Sequence, residues 1–240
     1  MAYQLPDYLK GLQLSALPVD YEWGNAIAND FWAAHDESSP RLAAAINPVN
    51  GRAAFALGIA CSEWVLARVE GHTDTTDASL RLEAAWAATA DWRYANLPSP
   101  ASNPPNAPKE FAGPLRLAMR LLVRAHELYR DGSPDVNSRA QALAMEAEHI
   151  AGRHPAFETW LQESLRRCNQ DYPDTGASIE DQPPVPREFF EPAFTFRDGI
   201  AEESLARFVG SLDPAANPYL RSAGEMRELG FKGAPYNRSV

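Results

Sequence analysis

The segment from Gly51 to Glu70 constrains the fold more than any other part of the chain. No charged residue occurs between Ala53 and Ser62, and apolar side chains cover most of the circumference of a helix drawn through the segment. A helix that is apolar on most sides is normally enclosed by other elements. Ala54, Gly58 and Ser62 recur at intervals of four, so a neighbouring helix should approach closely along that line. The segment therefore predicts a central, buried helix.

The remaining sequence also favours helices. Of the 240 residues, 45% are hydrophobic, which is enough for a sizeable core, and no long run alternates apolar and polar residues as a strand would. We predict an all-α fold, a single helical bundle of about eight helices with a proline-rich C-terminal arm wrapped on it. Residues 1–171 would form the bundle core, and residues 172–240 would add the arm and two helices to the same domain.

Apolar spacing and end signals place the individual helices. We expect helices at about residues 20–35, 40–46, 51–70, 75–97, 138–151, 198–212 and 217–230, with another opened by Pro155. Asp20, Ser39 and Asp198 are the expected caps. A further helix has Pro114 in its first turn and ends before Asp131. The proline-rich segment Pro98–Pro108 should be a rigid connection.

Charge is unevenly distributed in a chain whose formal net charge is -10. Nine acids and two arginines between Asp171 and Glu203 give -7, whereas five bases and two acids between Lys109 and Arg130 give +3. The first segment, an acidic and aromatic arm, should lie against the bundle through Phe189, Phe190, Phe194 and Phe196. Its carboxylates are candidate partner-binding groups, in particular those of Glu180, Asp181, Glu188 and Glu191.

The basic segment carries arginine at every fourth position, and we name Arg116, Arg120 and Arg124 the arginine stripe. Like charges four residues apart on a helix repel by roughly 0.2–0.5 kcal/mol per pair, so something outside the helix should offset them. One interpretation is an anion-binding site, since the guanidinium fork matches carboxylate or phosphate. The other is internal cover by the acidic arm or by Glu63, Glu83 or Asp91, which we favour.

The chemistry-bearing residues do not form a recognised catalytic set. Glu146 and His149 have the spacing of a carboxylate–histidine metal motif, but no second such pair exists, so we predict no metal site and no cofactor. Glu63 could serve as a general acid or base if it faces inward, although a paired charge near the helix end is the favoured interpretation. No nucleophile motif or glycine-rich phosphate loop occurs, and Cys61 and Cys168 are expected to be buried free thiols.

These patterns favour a non-enzymatic protein-binding module, for example an immunity- or inhibitor-type protein that sequesters a basic partner. The alternatives are a helical protein or enzyme with a small-molecule or phosphate pocket, lined by the arginine stripe with Glu63 and Asp91, and a self-assembling scaffold. The acidic balance argues against nucleic-acid binding. The absence of an apolar run of roughly 18 residues argues against a membrane span. Together with the lack of a secretion signal, these features predict a cytoplasmic protein, and they leave its oligomeric state open.

Overall fold

The computed structural model describes residues 3–102, 106–151 and 154–236, and these residues form ten α-helices and no strand. The all-α class is confirmed, with ten helices where the sequence suggested about eight. The helices are α1 (Asp7–Gly11), α2 (Asn25–Trp32), α3 (Pro40–Ile46), α4 (Gly51–Val69), α5 (Thr76–Ala90), α6 (Lys109–Arg130), α7 (Val136–Ile150), α8 (Pro155–Asp171), α9 (Ile200–Ser211) and α10 (Ala223–Glu228). Residues 103–105 of the proline-rich connection lie outside this description.

Helix α4 is buried along its whole length, as its sequence predicts. Every residue from Arg52 to Val69 is buried, and the Asn50 side chain caps the first turn by accepting a hydrogen bond from the Ala53 amide at 2.9 Å. Helices α5, α6 and α7 pack against α4. A Cβ atom added at Gly58 would lie 3.0 Å from Leu143 Cδ1, so the small-residue line does admit a closely packed neighbour.

The ends of several helices differ from the sequence-based expectation. Helix α2 begins after Gly24 and not at Asp20, and Gly199 takes the capping position expected for Asp198. Helix α5 ends at Ala90, where the side chain of Asp91 accepts a hydrogen bond from the Arg93 amide and starts a 3-10 turn. The last helix is shorter than predicted because Ser222 and Glu225 form a capping box that starts it late. Helix α1 was not anticipated.

Two of the four phenylalanines of the arm, the segment after α8, are buried in the core. Phe189 and Phe190 are buried, Phe194 is partly buried, and Phe196 is 46% exposed. The carbonyl of Phe190 accepts a hydrogen bond from Trp160 Nε1 at 2.8 Å, which joins the arm to α8. Phe196 therefore makes a peripheral contact and is not a buried anchor: its ring meets that of Tyr172 edge-on, with 6.5 Å between the centroids.

Helix α6 contains Pro114 as an interior residue and not in its first turn. Proline has no amide hydrogen, so the carbonyl four residues earlier, that of Glu110, loses its partner within the helix. The hydroxyl of Tyr21 donates to this carbonyl at 2.6 Å and replaces the missing bond. Beside it, a Cβ atom added at Gly113 would lie 2.1 Å from Trp23 Nε1, so the indole is seated directly on the backbone of α6.

The seating of Trp23 gives a testable prediction. Gly113→Ala should lower the free energy of unfolding by about 1–3 kcal/mol, because the new methyl group displaces the indole and overpacks the contact. Gly210→Ala in α9 is the matched control, since an added Cβ there meets no atom within 4 Å and should stabilise by about 0.5 kcal/mol. Urea unfolding of both variants measures the difference. A Gly113→Ala protein as stable as Gly210→Ala would contradict this account.

Candidate functional site

Three charged side chains lie on the buried helix α4. Arg52, Glu63 and Arg68 are 6%, 1% and 1% exposed. A buried charge is tolerated only where other protein groups replace the water it has lost. The hydrogen-bond partners of these three residues come from segments far away in the chain. These bonds fix the positions of the segments that form the surfaces described below.

Glu63 is the centre of a buried hydrogen-bond cluster. Its Oε1 atom accepts from the Tyr3 hydroxyl, from Trp86 Nε1 at 2.9 Å and from Arg187 Nε at 2.7 Å. Burial, and next the Glu63 charge, raise the pKa of Tyr3 well above its usual range, so the phenol remains a donor. Arg187 also donates to the Gln4 carbonyl at 2.7 Å. Glu63 therefore faces inward and is paired with a cation, as expected for a paired charge. Its partner, however, is Arg187, which is 124 residues further along the chain and not a neighbour at the end of α4.

A small cavity adjoins this cluster, and we call it the Arg187 cavity. It has a volume of about 130 Å³ and is lined by Trp86, Arg187, Glu188, Glu191, Leu205 and Phe208. Glu188 and Glu191 are two of the candidate partner-binding residues. Neither carboxylate forms a hydrogen bond or ion pair with the part of the chain that the structure describes. Burial, followed by the charge of Glu188, raises the pKa of Glu191.

A larger and more open groove runs between the α6–α7 turn and the arm. We call it the acidic groove, and its volume is about 790 Å³. Its acidic lining residues are Asp36, Asp131, Asp135, Asp174 and Glu180, and Arg130 is the one basic residue among the described lining. Asp181 follows Glu180 but does not line the groove. Of the four candidate acids, Glu180 thus lines the acidic groove, Glu188 and Glu191 line the Arg187 cavity, and Asp181 lines neither.

The arginine stripe does not meet the acidic arm. Arg124 pairs with Glu127 at 2.9 Å on its own helix, and Arg120 lies over the ring of Trp32 at 4.5 Å. Within residues 3–102, 106–151 and 154–236, no ion pair joins the stripe to the arm. Arg116 is partly buried, and its Nε has no hydrogen-bond partner among the described atoms.

The other acids proposed to cover the stripe are also engaged elsewhere. Glu63 binds Arg187, Asp91 pairs with Arg93 at 2.6 Å, and Glu83 accepts a hydrogen bond from Asn217 at 2.9 Å. The favoured interpretation of internal cover is therefore wrong for the described residues. The repulsion within the stripe is relieved instead by Glu127 and by the face of Trp32.

Glu146 and His149, which have the spacing of a metal motif, face different surroundings. The Glu146 carboxylate is fully buried, and neither oxygen has a hydrogen-bond partner among the described residues. His149 Nε2 lies 2.9 Å from the Glu22 carbonyl, and the rings of Tyr21, Trp23 and Phe31 surround the imidazole. Over the described ranges, no three His, Cys, Asp or Glu side chains are grouped to hold a metal ion.

Two buried titratable groups were not anticipated as such. Burial raises the pKa of Glu146 well above its usual range. Burial lowers the pKa of His126 to about 4, so this imidazole is neutral at pH 7. The inward-facing residues Leu143, Ala147 and Ile150 share the helix with Glu146 and were the sequence signal that could have placed it inside.

Comparison with protein-family models, with curated proteins and with solved structures found no match to this chain. Among the helices that the structure describes, none is long and apolar enough to cross a membrane.

The Glu63–Arg187 pair gives the second prediction. Arg187→Met keeps an apolar stem of similar length but leaves the Glu63 charge buried without its cation. The free energy of unfolding should fall by about 3–5 kcal/mol, and Glu63→Met/Arg187→Met should recover part of the loss because no unpaired charge remains. Arg166→Met is the control, since it breaks an exposed pair with Glu163 and should leave stability near that of the unmodified protein. Equal losses in Arg187→Met and Arg166→Met would rule out the buried-charge explanation.

The third prediction concerns Glu146 and pH. Its pKa is higher in the folded than in the unfolded protein, so its contribution to stability is complete below the unfolded pKa and is lost as pH rises toward the folded pKa. Relative to Glu146→Met, the unmodified protein should lose up to about 1.4 kcal/mol per pH unit above roughly pH 4.3. Chemical unfolding at pH 4 to 8 measures this. Glu148→Met, at an exposed position on α7, should reproduce the unmodified profile, whereas parallel curves for the Glu146→Met and unmodified proteins would refute the assignment.

Proposed function

We propose that this protein is a non-enzymatic binding module that sequesters a basic protein partner through the acidic groove. An immunity- or inhibitor-type protein is the concrete form of this proposal. The observation that carries it is the lining of the groove, in which five acids face one base. The groove is open and lined mostly by polar and acidic residues, whereas small-molecule sites are typically concave and lined mostly by apolar side chains, so it suits a partner surface better.

The electrostatics of the groove support association with a basic surface. Five acids and Arg130 give a local formal charge of -4, within a chain of -10. A cleft lined by one sign of charge concentrates its field and accelerates the encounter with an oppositely charged partner. Arg130 is paired with Asp131 at 2.8 Å, so its cation does not oppose the remaining acids.

The wall of the groove is held in place by α4, which favours a preformed binding surface. Arg52 Nη2 donates to the Ile179 carbonyl at 2.6 Å, and the Arg52 amide donates to Gln182 Oε1 at 2.8 Å. Ile179 and Gln182 flank Glu180, so the arm presents this carboxylate from a fixed backbone. A preorganised surface loses less conformational entropy on binding than a mobile one.

The division of the chain into a bundle core (1–171) and an arm with two helices (172–240) belongs to the same proposal. In this view the core supplies Asp131 and Asp135, and the arm supplies Asp174 and Glu180, so the groove needs both parts. A cytoplasmic location and independence from cofactors complete the proposal. The alternative of an anionic-ligand pocket has less support. Arg120, Arg124, Glu63 and Asp91 have separate partners, and no described cavity is lined by the arginine stripe together with Glu63 and Asp91.

Partner capture with a charge-neutral groove tests the proposal. Asp36→Asn/Asp135→Asn/Glu180→Gln removes three groove charges with almost no change in volume. The control Asp30→Asn/Asp198→Asn/Glu202→Gln removes three exposed charges elsewhere. Immobilised unmodified and control proteins should retain one stoichiometric basic partner from native lysate, and the groove variant should retain little of it.

The retained partner should also elute as salt rises, since exposed charge pairs are screened beyond about 10 Å at 0.1 M ionic strength. A partner held equally by the groove variant and the control, an acidic partner, or no partner in any preparation would each contradict the proposed function.

A further inference from the structure

We propose that the Arg187 cavity is a binding site for a primary ammonium group carried on a short unbranched alkyl chain. A lysine side chain of a protein and a free alkylamine share this chemistry. The assignment of the ammonium to a lysine of the partner rests on the proposed function above, whereas the site itself does not.

The shape and lining of the cavity select a small amphipathic ligand. Trp86 and Leu205 are buried and Phe208 is partly buried, so three of the six lining residues offer apolar walls. Such walls pack against methylene groups, as the stems of long charged side chains do elsewhere in proteins. The volume of about 130 Å³ admits an unbranched chain of a few carbons but not a bulky ligand.

The charges of the cavity select a cation. Glu188 and Glu191 are three residues apart at a 3-10 turn, a spacing that places their side chains on one side of it. Neither carboxylate has a hydrogen-bonding or ion-paired partner among the described residues. The two charges repel, and a cation between them would remove that repulsion while giving both carboxylates donors.

The cation already in the lining does not occupy this role. The guanidinium of Arg187 is committed to Glu63 at 2.7 Å and to the Gln4 carbonyl at 2.7 Å. The cluster therefore holds unused acceptors around a space that its own arginine does not fill.

An ammonium group fits this space better than a guanidinium or an anion. It is compact and carries three donors, which matches two carboxylates in a small volume. A planar guanidinium needs more room than this cavity of about 130 Å³ offers beside the apolar walls. An anion would meet Glu188 and Glu191 directly.

The test uses n-butylammonium chloride as the probe and n-butanol as its neutral counterpart of similar shape. The indole N–H signal of Trp86, assigned with Trp86→Phe, reports on the cavity in nitrogen–proton correlation spectra. We expect a saturable shift with n-butylammonium and no comparable shift with n-butanol. Equal responses to both probes, or no saturable response to n-butylammonium, would overturn the proposal.

Variants identify the groups responsible. Glu188→Gln/Glu191→Gln should weaken n-butylammonium binding by about tenfold or more, because charge-assisted hydrogen bonds are replaced by neutral ones. Asp198→Asn/Glu228→Gln removes the same charge at two exposed positions outside both the cavity and the acidic groove, and should leave the affinity unchanged. Unchanged binding in the cavity variant would overturn the site. If circular dichroism shows that this double variant is unfolded, Glu188→Gln alone is measured and judged by the same loss.

The source of the ammonium is decided separately. An acetylated Gly-Lys-Gly amide that shifts the Trp86 signal as n-butylammonium does points to a protein lysine, and a response to n-butylammonium alone points to a free amine. Both results support the site. Probe binding without capture of a basic partner would leave the site standing and refute the proposed function. If partner capture is lost in the groove variant but unchanged in Glu188→Gln/Glu191→Gln, the assignment of the ammonium to a lysine of the partner is refuted.

Discussion

The burial of charge on helix α4 is the constraint on which the rest of this structure depends. The helix has no face in water, so its three charged side chains must find partners inside the protein. Arg68 donates to the carbonyls of Leu14, Pro18 and Ile150 at 2.9–3.1 Å. Arg52 donates a hydrogen bond to the Ile179 carbonyl, and Glu63 accepts hydrogen bonds from Tyr3, Trp86 and Arg187. The first residues of the chain and the segment after α8 are thereby tied to one helix.

The same use of arginine recurs away from α4 and shapes the surface. Arg139 donates to the carbonyls of Trp32 and Ala34 at 2.7 and 2.8 Å, and Arg167 donates to that of Glu191 at 3.1 Å. Several arginine side chains of this acidic chain therefore donate hydrogen bonds to backbone carbonyls of connecting segments. Carboxylates such as Asp135 and Glu180 have no ion-paired base among the described residues, which makes the acidic groove strongly negative.

Sequence alone predicted the elements whose signal is local. The uncharged run in α4 and the regular apolar spacing of α6 and α7 placed these helices and their buried faces, because helical periodicity depends on nearby residues only. Helix ends were less accurate where tertiary contacts decide them. Trp23 sits on Gly113 and Tyr21 satisfies a carbonyl freed by Pro114, so the predicted start of α2 at Asp20 was overridden by contacts with α6.

The candidate site could not be predicted in the same way. The acidic groove combines Asp36, Asp131, Asp135 and Glu180 from separate segments. The Arg187 cavity is lined by Arg187, whose ion-pair partner Glu63 is 124 residues away in the chain. No spacing rule links such residues. The charge count did identify the arm as strongly acidic, but it suggested the arginine stripe as the counterpart of the arm, and Trp32 and Glu127 meet that stripe instead.

Hydrogen–deuterium exchange on Arg52→Met and Arg68→Met tests most directly whether each buried arginine of α4 stabilises the backbone segment to which it donates hydrogen bonds. Arg52→Met should accelerate exchange at the amides of Asp181 and Gln182 and leave that of Leu17 unchanged, whereas Arg68→Met should do the reverse. Equal acceleration at both places in both variants, or no local change in either, would contradict the account that these charges organise the N-terminal segment and the arm.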